Sequence, residues 1–255
     1  NLQKVKQYNH FFDGKIITKP INFKNGQINF YDNKKYISAI RSAKLKYKSS
    51  KKLDEVILKG LFLNDHIYVN LQNKKNETKP LKTLTVKLLK SKFSAKVNML
   101  DLNKKTISGD FIFKKNKNNL SAFYDYKNDK ITIKKANLKN EFLDGKFTGE
   151  IVFNPHFNFN LDINLSGVNF NKLYNFLVSL DEISQQNIFK VNKKINGLLN
   201  LSANKIYSKF DLVDSFETQL KFINGSISID RLLLNLGKLG ATDITGTIKN
   251  NEKFS

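Results

Sequence analysis

Apolar and polar residues alternate along most of this chain with a period of two. The clearest stretch sets Phe157, Phe159, Leu161, Ile163 and Leu165 between Asn158, Asn160, Asp162 and Asn164. Successive side chains of a strand point to opposite faces, so such a segment has one apolar and one polar face. The same alternation runs through Leu84, Val86 and Leu88; Phe93, Ala95 and Val97; Leu120, Ala122, Tyr124 and Tyr126; and Phe216, Thr218, Leu220 and Phe222. Shorter versions are Ile28/Phe30, Ile67/Val69/Leu71, Phe111/Phe113, Ile131/Ile133 and Ile227/Ile229. Turn signals separate them: Lys24-Asn25-Gly26, Lys127-Asn128-Asp129, Leu143-Asp144-Gly145, Lys194-Ile195-Asn196-Gly197 and Ile223-Asn224-Gly225. A type I′ hairpin turn needs positive φ at both central residues, which Asn-Gly and Asp-Gly supply. The pattern predicts an antiparallel meander of short strands, about five residues each.

One segment changes period. From Val168 to Ile188 the apolar residues Phe170, Leu173, Phe176, Leu177, Leu180, Ile183 and Ile188 recur mostly at spacings of three and four, which fits an amphipathic helix. Asn169 or Asn171 is suited to cap its start, and Asp181 with Glu182 marks a break. This helix is expected to pack on the sheet as a plug or connector. The predicted fold is therefore mainly all-β: an elongated, curled antiparallel meander sheet forming a groove, with one amphipathic helix near 169–188. Residues 1–255 read as a single elongated segment, with 150–168 as the place where it would subdivide. The lysine-rich stretch 72–82 reads as a long exposed loop.

Charge alters this picture at one end. The 255 residues hold 44 Lys+Arg against 22 Asp+Glu, a formal net charge of +22, and arginine occurs only at Arg41 and Arg231. An AT-rich coding bias accounts for much lysine and asparagine together. The two nevertheless separate: residues 1–150 carry 33 basic and 13 acidic side chains and residues 151–255 carry 11 and 9, while asparagine divides 18 to 16. The part spanning 1–150 is thus expected to meet an anionic surface such as lipid headgroups, acidic polysaccharide or nucleic acid. Lysine is a diffuse point charge, and scarce arginine argues against bidentate reading of phosphates or bases. The chain begins with Asn1 instead of Met, which reads as a fragment or processed chain whose signal or anchor lies upstream.

Catalytic signals are absent from the sequence. It contains no cysteine, which excludes disulfides and thiol chemistry and removes the usual zinc sites. His10, His66 and His156 are far apart, and none has a second ligand at metal spacing. No phosphate-binding glycine loop or nucleophile motif occurs. The carboxylates Asp32, Asp125, Asp129 and Asp144 are expected in turns. Lysines flank Phe111, Phe113, Tyr124 and Tyr126, an arrangement that can stack nucleic-acid bases. Those rings share the alternation of the presumed interior, however, so no nucleic acid is expected. No cofactor is expected, and the reading is non-enzymatic.

What remains is geometric. Some fifteen strands of usual dimensions expose far more apolar surface than one helix of about 20 residues covers. The sheet must curl, pair with another, or hold an apolar ligand. An apolar lining suits acyl chains, since each buried CH₂ is worth about 0.8 kcal/mol. The inward residues expected to line such a groove are Phe111, Phe113, Phe147, Ile151, Phe153, Phe157, Phe159, Leu161, Ile163, Phe216, Leu220 and Phe222. The same residues would equally form a filled core between two sheets. A β-sandwich adhesion or carbohydrate- and polyanion-binding module is the alternative. An outer-membrane barrel ranks third, because the strands read as too short and the turns as too uniform.

Several stretches resemble the AsmA-like family, including its TamB-like group. Leu161-Asp-Ile-Asn-Leu-Ser-Gly-Val-Asn-Phe-Asn-Lys-Leu-Tyr-Asn-Phe-Leu177 is similar to that family's strand followed by an L-D-x-x-x-L-L helix. Gly197-Leu-Leu-Asn-Leu-Ser202 resembles the next strand, and Phe222 to Leu234 with Leu239 to Ile248 resembles its glycine-opened strand series. The stretch Ile131 to Phe153 has the same style, and residues 1–100 fit more loosely. The resemblance implies a periplasmic β-groove of a Gram-negative envelope, anchored to the inner membrane by a helix outside this chain. It also implies phospholipid as ligand, the inner and outer membranes as partners, a part in outer-membrane assembly and lipid transport, and no catalytic residues. The lysine content departs from the family pattern.

Overall fold

A computed structural model of the chain describes residues 20–32, 34–75, 81–103, 106–154, 156–188 and 191–248. His10 and residues 76–80 of the predicted loop lie outside them. The chain divides into two compact units, Asn1–Asp101 and Leu102–Ser255. Residues 150–152 and 157–168 belong to two directly paired strands.

The fold is all-β. Unit 1 is built from β1 (Ile21–Asp32), β2 (Lys35–Ser49), β3 (Leu53–Phe62), β4 (Asp65–Lys74), β5 (Leu81–Leu88) and β6 (Phe93–Asn103), which begins there and ends just past the division. Each pairs antiparallel with the next in chain order. Unit 2 continues with β7 (Thr106–Lys115), β8 (Asn118–Lys127), β9 (Lys130–Lys139), β10 (Leu143–Val152) and β11 (Phe157–Asn169). After two helices come β12 (Ile195–Ala203), β13 (Ile206–Tyr207), β14 (Ser215–Ile223), β15 (Ser226–Asn235) and β16 (Ala241–Ile248). Among the described residues β1 pairs only with β2, and β16 only with β15.

Apart from two-residue β13, the strands are 8 to 15 residues long, well beyond the expected five. The extra length lies where Lys and Asn obscure the alternation and where bulges reset it. In β2 the register shifts between Arg41 and Lys44, with Ser42 at φ 49°. Strand length therefore does not argue against a membrane barrel.

The turn signals divide into two kinds. Asn128-Asp129 (φ 52° and 60°) and Asn224-Gly225 (φ 50° and 85°) form the predicted two-residue hairpin turns, and Leu63-Asn64 (φ 47° and 62°) forms another that lacks glycine. Three predicted turns lie in strands instead. Lys24-Asn25-Gly26 sits inside β1 at a register shift, with Asn25 at φ 57°. Asp144-Gly145 lies within β10, opposite a bulge of β11 at which Ser166 is the extra residue, and Ile195 to Gly197 open β12. At Asn25 the bulge takes the same positive φ that a tight turn needs, so the same residues mark both. The long loop expected at 72–82 is also corrected: residues 72–74 close β4 and 81–82 open β5, where Asn73 faces Lys82.

The helical segment is two helices, not one: α1 (Phe170–Val178) and α2 (Glu182–Ile188). Asn169 caps α1, its side-chain oxygen accepting from the Lys172 amide at 3.0 Å. Asp181 starts the second by accepting from the Ser184 amide at 2.9 Å and its hydroxyl at 2.8 Å. Those bonds, the amide first, hold the Asp181 carboxyl below the usual range. The helices carry the chain back along the sheet, so β12 enters parallel to β11. This is the exception in an otherwise antiparallel meander of the kind predicted. The β11–β12 and β11–β13 pairs are parallel because a helical crossover reverses the chain between them.

Candidate functional site

Residues directly opposite in a sheet put their side chains on the same face, so the register of unit 2 shows which residues share one. One row runs Phe111, Ala122, Ala136, Phe147, Ile163, Leu201, Thr218, Leu232 and Ile244 from β7 to β16. A second runs Tyr126, Ile131, Ile151, Phe159, Gly197, Phe222, Ile227 and Ile248. Between them lie Tyr124, Ile133, Leu161, Leu199, Leu220 and Ile229. Unit 2 thus carries an apolar face continuous across its strands.

Of the predicted lining residues, Phe111, Phe113, Phe147, Ile151, Phe157, Phe159, Leu161, Ile163, Phe216, Leu220 and Phe222 occupy this face. Phe153 follows the end of β10, and its ring meets Phe157 edge-on at 6.0 Å. All of them are half-buried. Phe111 stacks on Phe113 at 4.8 Å, and Phe159 meets Phe222 at 5.3 Å.

That second contact spans a whole strand. Gly197 lies between Phe159 and Phe222 in the row, and a Cβ there would sit 2.5 Å from the Phe159 carbonyl oxygen and 2.6 Å from its ring. Glycine lets the two rings close over β12.

Burial is deepest at small side chains. Ala136 is 0% exposed, Ala203 1% and Ala122 3%, while among the described residues no large side chain is fully buried. Ala122, Ile133 and Ala136 form a base for Phe111, Ile131, Phe147, Ile151 and Leu161. Leu165, Val168 and Ala203 form another, with Leu173 of α1 packed on it. Helix α1 covers that end only, with Phe176 stacked on Phe142 at 5.6 Å. Its other side leaves Phe170, Tyr174 and Val178 exposed. The alanines and Leu199, Leu201, Ile133 and Leu165 are missing from the predicted lining. Ala122, Ile133 and Leu165 already stand in the alternating runs of the sequence, but only the register shows which of them become neighbours across strands.

The opposite face of unit 2 is polar. Asn200 donates to Asp162 at 2.6 Å, and Gln219 donates to Asn200 at 2.9 Å, a ladder across three strands. A cavity of about 620 Å³ lies there, with Lys146, Thr148, Asn164, Ser202, Glu217 and Arg231 around this ladder.

Unit 1 has its own apolar face. Leu45, Leu58, Val69, Val86 and Ala95 share one row, and Tyr47, Val56, Leu71, Leu84 and Val97 the next. Asp54 closes one end of it. Burial opposes its ionisation, but the Lys75 ammonium at 2.5 Å and the Ser49 hydroxyl at 2.6 Å outweigh burial and keep the carboxyl below the usual range. Asp65 holds the β5–β6 turn by accepting from the Lys90 amide at 2.7 Å, the Ser91 amide at 2.9 Å and the Ser91 hydroxyl at 2.7 Å. Burial again opposes ionisation, and these donors with the His66 amide prevail, setting the carboxyl at about 2.

The remaining titratable groups are dispersed. His66 is exposed in β4, and His156 is exposed in the connection before β11. Of the carboxylates expected in turns, Asp129 is in one. Asp32 ends β1, while Asp125 and Asp144 lie within β8 and β10. Asp125 accepts from Lys134 at 2.6 Å and from Ser108, which together lower its pKa. Burial, with Asp110 nearby, pushes the Tyr124 hydroxyl up to about 12. No group of three His, Asp or Glu gathers at metal-binding distance among the described residues. No family model matches the sequence, and no curated protein or solved structure is similar to it.

Proposed function

We propose that the chain is a non-enzymatic module that binds or conducts lipid acyl chains along an apolar β-groove. The observation that carries this reading is the face of unit 2, where large apolar side chains stand half-buried on a floor of alanine and glycine. Alkyl chains are recognised by length and continuity of apolar surface, and need no particular polar partner. Rows that cross strand after strand offer both. The setting that goes with it is an envelope protein of the periplasm, tethered to the inner membrane by a helix outside this chain and contributing to outer-membrane assembly and lipid transport. No helix among the described residues is long and apolar enough to cross a membrane.

Native mass spectrometry of the purified chain tests the reading. Copurifying phospholipid that Phe159→Glu abolishes, with the circular dichroism spectrum retained, is the expected result. A lipid-free protein whose Phe159→Glu variant unfolds would identify the face as an ordinary closed core. The cavity around Asp162, Asn200 and Gln219, with Lys146 and Arg231 at its wall, favours a second reading, a carbohydrate- or polyanion-binding module. Binding of polysaccharide without lipid uptake would select it.

A further inference from the structure

The face of unit 1 opposite its apolar rows is strongly cationic. Lys44, Lys46, Lys48, Lys59, Lys87 and Lys96 all stand exposed on it. Lys44 lies directly opposite Lys59, Lys59 opposite Tyr68, and Tyr68 opposite Lys87. In the next row Lys46 and Lys96 stand at the two ends of Ile57, Asn70 and Thr85. Glu55 is the one carboxylate on this face of β2–β6. It lies opposite Lys48, and its Oε1 accepts from Asn70 at 3.2 Å and Gln72 at 2.9 Å. Among the described residues no carboxylate pairs with Lys44, Lys46, Lys59, Lys87 or Lys96. Like charges directly opposite in a sheet oppose folding, so Lys44 and Lys59 are held together at a cost in stability.

We propose that this face docks on the anionic headgroups of a lipid bilayer. With strands about 4.8 Å apart and same-face residues about 6.8 Å apart, the lysines fill a patch roughly 19 Å by 14 Å. A bilayer presents a plane of charge that a two-dimensional array meets all at once. A linear polyanion meets one row at a time. Nucleic-acid surfaces also lean on arginine forks and free aromatic faces. Here Tyr68 is half-buried, with the Lys59 ammonium 5.7 Å from its ring centroid. Lysine needs no fixed direction and suits mobile headgroups. The docking face does not depend on the acyl-chain groove, and either holds if the other fails.

Cosedimentation of the whole chain with phosphatidylcholine vesicles, with and without phosphatidylglycerol, tests the proposal. Binding is expected only with phosphatidylglycerol. The variant Lys44→Gln/Lys59→Gln/Lys87→Gln should weaken it about fivefold per lysine, about a hundredfold in all, with the melting temperature unchanged or raised. The control Lys114→Gln/Lys127→Gln/Lys135→Gln removes the same charge from unit 2 and should retain most of the binding. Equal loss in both variants would overturn the proposal by assigning the attraction to net charge alone. Binding to heparin or single-stranded RNA but not to vesicles would overturn it in favour of a linear polyanion.

Discussion

Replacing Gly197 by alanine adds one methyl group at the point where Phe159 and Phe222 close over β12. The new carbon would stand 2.5 Å from the Phe159 carbonyl oxygen and 2.6 Å from ring atoms Cγ and Cδ1. The ring can rotate away, but the carbonyl belongs to the parallel β11–β12 pairing and moves only with the strand. Forcing a methyl into a packed site costs about 1–3 kcal/mol. Losing the ring contact at 5.3 Å adds about 1 kcal/mol, for a total of about 2–4 kcal/mol. Gly246→Ala in β16 is the internal control, since nothing lies within 4 Å of its added carbon. That change should stabilise by up to about 1 kcal/mol through the unfolded state. Urea unfolding followed by far-ultraviolet circular dichroism measures both, and the absence of tryptophan makes it preferable to fluorescence. If the two variants were equally stable, the close approach at Gly197 would be wrong, and with it the continuity of the apolar rows.

Three further outcomes follow from particular contacts. Asp65 has its carboxyl at about 2 against an ordinary 3.8, so its contribution is complete above pH 4 and is lost as pH falls toward 2; Asp65→Asn should destabilise unit 1 at neutral pH and flatten acid unfolding over that window. Asn169→Ala removes the cap of α1 and should cost about 1 kcal/mol, read as faster amide exchange across 170–178 with the sheet unchanged. Ala136→Leu inserts bulk at a site with 0% exposure and should cost about 1–3 kcal/mol in the same urea titration.

Alternation alone makes the apolar face legible in the sequence. Phe157 through Leu165 predict β11, and the lining residues chosen by the same rule fall on one side of unit 2. The rule fails where the chain departs from strict alternation. Asn25-Gly26 reads as a turn because Asn and Gly accept positive φ, a property that a bulge exploits equally, whereas Gly145 lies within a strand, where a Cβ would stand 2.6 Å from the Asn164 carbonyl oxygen. Leu63-Asn64 turns the chain without the expected glycine and gives no signal. Asp181 reads as a break, but that it caps a second helix depends on Ser184 lying three residues on. The parallel entry of β12 is invisible to local pattern, because pairing partners are decided across the intervening helices. So is the alanine floor, since Ala122 and Ala136 belong to different strands and become neighbours only through register.

Photocrosslinking at two adjacent positions puts the acyl-chain reading to the most direct trial. A benzophenone amino acid replaces Phe159, which points into the apolar rows, or Asn160, which points to the polar side. Irradiation of the chain with radiolabelled phospholipid should label position 159 and leave position 160 unlabelled. Equal labelling at both positions, or none at 159, would contradict an acyl-chain groove on this face.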